Sequence, residues 1–189
     1  MLSSCAVSWQ PGEQRTAVAT FLHSAAYCLN AAAFVLVRGL PSPFGNLMRQ
    51  YGEATAMGLL CADPATGVLD LYVADKKNYP YRKALQRVEE SKTSAKLAKS
   101  FGLDATAWAA FKRLTEFYDL HSHLSVVTMG FAQRLSKESQ AAVIGPDFDP
   151  AKFKIYRDEF RRLRSACDSL EMLVKAIDKS LSKAVNSSA

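Results

Sequence analysis

The sequence predicts an all-α fold, a bundle of five or six helices in a single domain that spans residues 1–189. The main observation is the stretch from Asp149 to Val185, in which apolar side chains recur in steps of three and four residues. These side chains are Phe153, Tyr156, Phe160, Leu163, Cys167, Leu170, Val174, Ile177 and Leu181. Asp149 and Pro150 are typical of an N-cap and a first helical residue. A seam of this length requires partner helices, which the rest of the chain can supply.

Composition agrees with one soluble, globular domain. Of the 189 residues, 49% are hydrophobic and 22% are charged, and the formal net charge of +6 permits an acidic partner without requiring one. The four cysteines form no C-x-x-C pair, which favours reduced thiols in a cytoplasmic protein over disulfides or a zinc site. Residues 1–10 have no basic region before an apolar run, so we expect no signal peptide.

The first helix is predicted from Glu13 to Arg38, between a turn at residues 10–12 and a stop at Gly39. Within it, residues 16–37 carry no formal charge, and that length could cross a bilayer. The high alanine content and the polar His23 and Asn30 favour the core helix of a bundle instead. We therefore expect no membrane partner.

The next two elements carry proline signals. Ser42 is predicted to cap a second helix, with Pro43 as its first residue and an end near Ala62, and residues 54–62 are apolar enough to be buried on every side. Residues 63–64 open a third segment that ends near residue 78. It fits either a helix or a strand by its pattern, and helix is preferred because no strand partner is visible.

Two further helices are predicted before the long C-terminal one. A polar, basic helix runs from residue 80 to about residue 101, and a second begins after Asp104. The apolar stripe of the second consists of Phe111, Leu114, Tyr118, His121, Ser125, Thr128, Ala132 and Leu135. Residues 145–150 are predicted to form a loop, and residues 1–12 and 186–189 to be flexible.

Arg49 and Glu53 are the first candidate for chemistry, because they lie one turn apart on the second helix. They precede its wholly apolar half, so the pair is expected to be partly buried. Such a pair can line a pocket or tie two helices together, and the structural role is the commoner one.

The segment from residue 116 to residue 125 is the second candidate. Glu116, Asp119 and His123 share one helical face and could bind a divalent metal. Di-iron sites in helical bundles also need a matching Glu-x-x-His on a second helix, and the sequence contains none. A solvated polar face is favoured, and we predict no metal and no cofactor. On the other face, His121 beside Tyr118 could be a general base or a hydrogen-bonded core histidine.

A basic stripe near the start of the final helix is the third candidate. Lys154, Arg157, Arg161 and Arg164 recur at steps of three, four and three, at the end of the helix that carries the positive dipole. The arrangement suits a phosphate or another anion. The alternative is solvated charge that keeps the protein soluble.

Several motifs are absent from the sequence. There is no G-x-x-x-x-G-K-S/T, G-x-G-x-x-G, G-x-S-x-G or H-E-x-x-H. Nucleotide hydrolysis, dinucleotide binding and serine hydrolysis therefore have no support.

Four short motifs carry a resemblance to a family. These are A-F-V-L-V-R-G at residues 33–39, L-M-R-x-x-x-E at 47–53, C-A-D-P at 61–64 and Y-D-L-H-S-H-L-S at 118–125. Over about half of the chain they resemble a group of uncharacterised bacterial all-helical proteins that are distantly similar to the HEPN superfamily. HEPN ribonucleases carry an arginine followed four to six residues later by a histidine, whereas Arg113 precedes His121 by eight positions. The resemblance implies a fold rather than an activity.

Three hypotheses about function follow. The preferred one is a non-catalytic binding module for RNA or another polyanion, bound by Lys154, Arg157, Arg161 and Arg164. The rival is a metal-independent ribonuclease whose catalytic residues would be Arg49, Glu53, Tyr118 and His121. The third is a self-associating homo-oligomer, which would leave an apolar patch on the final helix.

Overall fold

The computed structural model describes residues 12–74, 113, 116–118 and 149–186, and within these ranges the chain is all-α. Four α-helices are labelled here in chain order, without the short helical pieces at residues 113 and 116–118. They are α1 (Glu13–Val37), α2 (Pro41–Ala62), α3 (Val68–Ala74) and α4 (Phe153–Asn186). The predicted all-α fold is confirmed. The helix predicted at residues 80–101 and most of the one after Asp104 lie outside the described residues.

Helix α1 follows its sequence prediction closely. It ends because Gly39 adopts a positive φ of 74°, and the backbone N–H groups of Arg38 and Gly39 donate to carbonyls of the last turn. Its buried side is lined by Val18, Leu22 and Leu29 among others, and it packs mainly against α2.

The length and composition of α1 would also allow a membrane span. Among the described helices it alone meets these criteria, and 33% of its most apolar window is buried in the protein. Core helices of soluble proteins and signal sequences meet the same criteria, so its role as a core helix outside a membrane stays a prediction.

Helix α2 begins two residues earlier than predicted. Leu40 is the residue before the helix, Pro41 is the first helical residue, and the Phe44 N–H donates to the Leu40 carbonyl at 3.2 Å. The prediction that Ser42 caps the helix is wrong. Pro41 and Pro43 both lie in the first turn, where the missing proline N–H breaks no helical hydrogen bond, so the helix can start at the earlier proline.

The second half of α2 is buried on every side, as predicted for residues 54–62. A close approach to α1 occurs at Gly58, where a Cβ atom would lie 3.3 Å from Leu22 Cδ2. At the end of α2, the Gln14 side chain from α1 donates to the carbonyls of Cys61 and Ala62, both at 3.1 Å. Both carbonyls lie in the last turn of α2, where the helix has no further backbone N–H to donate to them, and the Gln14 side chain supplies that donor.

The third segment is helical, which settles the choice between helix and strand. A 3-10 turn, Pro64–Thr66, is followed by Gly67 at a φ of 64° and then by α3. The Thr66 hydroxyl closes the turn by donating to the Leu60 and Asp63 carbonyls. The predicted end near residue 78 lies beyond the described part of this segment.

Helix α4 is preceded by the predicted cap. The Asp149 side chain accepts a hydrogen bond from the Ala151 N–H at 3.0 Å, and Pro150 opens a 3-10 turn that leads into the helix. The helix runs from Phe153 to Asn186, so its predicted extent is confirmed within one residue at its end.

The buried face of α4 differs from the predicted stripe. Its buried side chains are Tyr156, Glu159, Leu163, Ala166, Leu170, Leu173, Ile177 and Leu181. Phe153 is 58% exposed and Phe160 is 39% exposed, so their placement in the core was wrong, while Cys167 and Val174 are only partly buried. Both stripes share Tyr156, Leu163, Leu170, Ile177 and Leu181. At the other four predicted positions, the residue just before the predicted one is buried instead. These buried residues are Lys152, Glu159, Ala166 and Leu173, because the helix is rotated about its axis relative to the prediction.

Two hydrogen bonds show how the long helices are arranged. The Arg15 guanidinium donates to the Leu181 carbonyl at 3.2 Å, and the Tyr51 hydroxyl donates to the Ala166 carbonyl at 3.1 Å. Gln14 and Arg15, at the start of α1, thus bond to the ends of α2 and α4, so α1 runs antiparallel to both helices. The core lies between these three helices.

Candidate functional site

The basic stripe predicted on the final helix lies on the solvent side of α4. Lys154, Arg157, Arg161 and Arg164 are all exposed. Asp158 lies between them, with its carboxylate 3.9 Å from Arg157 Nε and 3.3 Å from Arg161 Nη1. Exposed pairs of this kind contribute little to stability and exchange readily with solvent or another anion.

Lys154 and Arg164 have no ion-pair partner in the part of the chain that the structure describes. Between residues 153 and 165 the only acidic residues are Asp158 and Glu159, and the Glu159 side chain faces the core. The exposed face of this part of α4 therefore carries four cationic side chains and one carboxylate. Such a surface attracts an anionic partner.

Two other cations near the start of α4 are not part of this face. Lys152 is only 4% exposed, and its ammonium lies 3.9 Å from the Asp149 carboxylate. Arg162 donates to the buried Glu159 carboxylate and lies over the ring of Phe117, 4.9 Å from its centroid. The spacing that defines the basic stripe had already left out both of these residues.

Exposed aromatic rings accompany the basic stripe. Phe153, Arg157, Phe160 and Arg164 follow one another at steps of four, three and four, so they share one face of α4. Neither phenylalanine ring stacks on another ring or on a cation within the described ranges. Sequence reasoning missed these residues because their spacing also fits the core stripe.

A buried polar cluster lies behind this face. The Tyr118 hydroxyl donates to the Glu159 carboxylate, which also accepts from Arg162, and Tyr118 and Glu159 are 0% and 4% exposed. The ring of Phe44 from α2 packs edge-on against Tyr118, with 6.0 Å between centroids. The cluster thus joins α2, the segment around Tyr118 and α4.

Burial dominates the electrostatics of this cluster. It raises the pKa of the Glu159 carboxyl above its ordinary value of 4.5, although the hydrogen bond from Tyr118 and the charge of Arg162 act in the opposite direction. Burial, and then the charge of Glu159, raises the pKa of Tyr118. Burial lowers the pKa of Arg162, but the nearby Glu159 carboxylate outweighs this and leaves it raised. A tyrosine in this state is a hydrogen-bond donor and not a base.

The predicted catalytic residues are only partly within the described chain. Arg49 and Glu53 form the expected ion pair, with 2.9 Å between Nε and Oε1, and their side chains are 22% and 29% exposed. Tyr118 is buried and bonded to Glu159. His121 lies outside the described residues, so the convergence of all four into one cleft stays a prediction.

The metal hypothesis gains no support. Glu116 is exposed, and Asp119 and His123 lie outside the described ranges. Among the residues that the structure describes, no group of three or more His, Cys, Asp or Glu side chains could hold a metal ion. Cys28, Cys61 and Cys167 are free thiols.

No family model, curated protein or solved structure matches this chain. The surface and the cluster described above therefore carry the functional argument.

Proposed function

We propose that the protein is a non-catalytic binding module for RNA or a similar polyanion, which it binds on the exposed basic face of α4. The observation that carries this proposal is the placement of Lys154, Arg157, Arg161 and Arg164 on one solvent-facing side, opposed by a single exposed carboxylate. The net charge of +6 favours the approach of an anionic partner over a longer range.

The geometry of the stripe supports a linear anion rather than a single small one. Lys154 and Arg164 are ten residues apart, which is about 15 Å along the helix axis. Three of the four cations are arginines, whose planar guanidinium groups can each bind phosphate through two hydrogen bonds. A chain of phosphates can contact all four side chains at once, whereas one phosphate cannot.

The test is a fluorescence anisotropy titration of a labelled single-stranded RNA of 20 nucleotides at low and moderate salt. The variant Arg157→Ala/Arg161→Ala should bind at least about tenfold more weakly. It should also show a shallower salt dependence, by about 0.7 in log–log slope for each phosphate that the variant no longer neutralises. Lys175→Ala/Lys179→Ala is the matched control, because it removes two exposed cations from the far part of the same helix.

Two results would overturn the proposal. One is the absence of binding by the wild-type protein at low salt, and the other is an equal loss of affinity in the control variant. The same RNA samples, run on a denaturing gel, test the ribonuclease hypothesis. Cleavage by the wild type that is lost in His121→Ala would replace a binding module with an enzyme.

A further inference from the structure

We propose that Phe153 and Phe160 form a stacking platform for the bases of single-stranded nucleic acid, while Arg157 and Arg164 bind the phosphates between and beyond them. This inference rests on the proposed function and adds a ligand class to it. The four residues are called the aromatic–basic platform below.

Exposure of the two rings is the first observation. Phe153 is 58% exposed and Phe160 is 39% exposed, although both stand in a helix whose other face is buried. Arg157 has an exposed side-chain fraction of 49%, and Arg164 is also exposed. Large apolar rings at the surface are costly to hydrate, and an alternating arrangement with arginines is typical of surfaces that bind bases and phosphates together.

Spacing is the second observation. The two rings are seven residues apart, which places them about 10.5 Å from each other along the helix axis. Stacked nucleotides rise about 3.4 Å each along a strand, so three steps separate the bases that would contact the two rings. The two arginines are also seven residues apart and repeat with the same period.

The rings select for single strands. In a duplex, both faces of an internal base are covered by neighbouring base pairs, so a side chain on the outside cannot stack on it. In a single strand the faces are available, and stacking on an aromatic side chain tolerates any base. The aromatic–basic platform should therefore distinguish single strands from duplexes without reading their sequence.

Charge and packing argue against two other occupants of this face. A membrane-surface helix would insert its apolar side into lipid, but the apolar side of α4 is already buried, for example at Leu163 and Leu170. A symmetric dimer through this face would bring the basic stripe of one copy against that of the other. A polyanion with exposed bases satisfies both the rings and the cations.

The experiment compares Phe153→Leu/Phe160→Leu with a matched control, Tyr27→Leu/Phe34→Leu. The control removes two exposed rings from α1, where Tyr27 and Phe34 are 72% and 57% exposed. The probes are a labelled single-stranded RNA, the duplex of the same length and inorganic polyphosphate. Circular dichroism and thermal melting confirm that each variant is folded.

We expect the platform variant to bind the single strand at least about fivefold more weakly, because stacking on each ring is lost. Its affinity for the duplex and for polyphosphate should stay unchanged, and the control should bind all three probes like the wild type. In contrast, Arg157→Ala/Arg161→Ala should weaken binding to all three probes.

Three outcomes would overturn the inference, and the first two are distinguishable from failure of the proposed function. If the platform variant keeps full affinity for the single strand, the rings do not stack on bases, although polyanion binding stands. If sedimentation velocity shows that the wild type is a dimer and the platform variant a monomer, the rings belong to an interface between copies. If the wild type binds none of the three probes, the proposed function and the platform fail together.

Discussion

At the scale of single residues, the buried pair of Tyr118 and Glu159 contributes to stability through a hydrogen bond to a charged group. A carboxylate that is almost completely buried is tolerated only when its oxygens accept hydrogen bonds, and Tyr118 and Arg162 supply them here. The pair also explains why Glu159 replaces Phe160 in the buried seam.

Removal of the Tyr118 hydroxyl should therefore destabilise the fold. We expect Tyr118→Phe to lower the free energy of unfolding by about 1.5–3 kcal/mol, the range for a hydrogen bond to a charged group. Urea denaturation measures it. Tyr27→Phe is the control, since the Tyr27 side chain is exposed, and an equal effect of both changes would contradict the role assigned to Tyr118.

The raised pKa of Glu159 predicts a specific pH dependence of stability. A carboxyl whose native pKa lies above its unfolded value of 4.5 binds protons more readily in the folded state. Its contribution to stability is complete below pH 4.5 and is lost as the pH rises through the native pKa. Glu159→Gln removes this titration.

The free energy of unfolding of the wild type, relative to that of Glu159→Gln, should thus fall as the pH rises from 4.5 through the native pKa of Glu159. Urea titrations of both proteins at several pH values give the difference. A flat difference would mean that Glu159 titrates normally in the folded protein. A difference that increases with pH would mean that its native pKa is lowered.

At the scale of helices, the contact between α1 and α2 depends on a small residue. A Cβ atom at Gly58 would lie 3.3 Å from Leu22 Cδ2, so a larger side chain there requires the Leu22 side chain to shift. We expect Gly58→Val to destabilise the protein by about 1–3 kcal/mol through overpacking. Thermal melting compares it with Ser24→Val, which introduces the same residue at an exposed position of α1, and similar losses would contradict a close approach at Gly58.

The contact between α2 and α4 includes a buried hydrogen bond to a neutral acceptor. The Tyr51 hydroxyl donates to the Ala166 carbonyl, and burial raises the pKa of Tyr51 to about 12. We expect Tyr51→Phe to cost about 0.5–1.5 kcal/mol, which is less than Tyr118→Phe because the acceptor is uncharged. Chemical denaturation under identical conditions ranks the two variants, and the reverse order would show that Glu159 does not accept as a carboxylate.

At the scale of the whole molecule, the bundle protects its thiols. Cys28 and Cys61 are buried, and burial raises the pKa of both, that of Cys61 to about 12. Because the thiolate is the reactive form, these cysteines should react with a thiol reagent only when the bundle opens.

We expect Cys61 in a Cys5→Ser variant to be labelled slowly at pH 8 and quickly in urea, as followed by mass spectrometry. Cys167 is only partly buried, and it serves as an internal reference because it should react earlier. Labelling of Cys61 as fast as that of a free thiol in native buffer would contradict its place in the core.

Local signals in the sequence accounted for much of this architecture. The periodicity of three and four residues, the Asp149 cap with Pro150, and the stop at Gly39 act within one or two helical turns, so they are readable without a partner. The wholly apolar half of α2 predicted its burial for the same reason. The exposed positions of the four cations could also be read from their spacing.

The rotation of α4 about its axis was decided only by the tertiary structure. The helical period allows either Glu159 or Phe160 beside Tyr156 and Leu163, and hydrophobicity alone favours the phenylalanine. In the folded protein the Tyr118 hydroxyl and Arg162 bind the Glu159 carboxylate, and Phe160 turns outward next to Arg157. Single-helix periodicity contains no information about Tyr118, a donor on another segment, and its hydrogen bond to Glu159 accompanies the face of α4 that is buried.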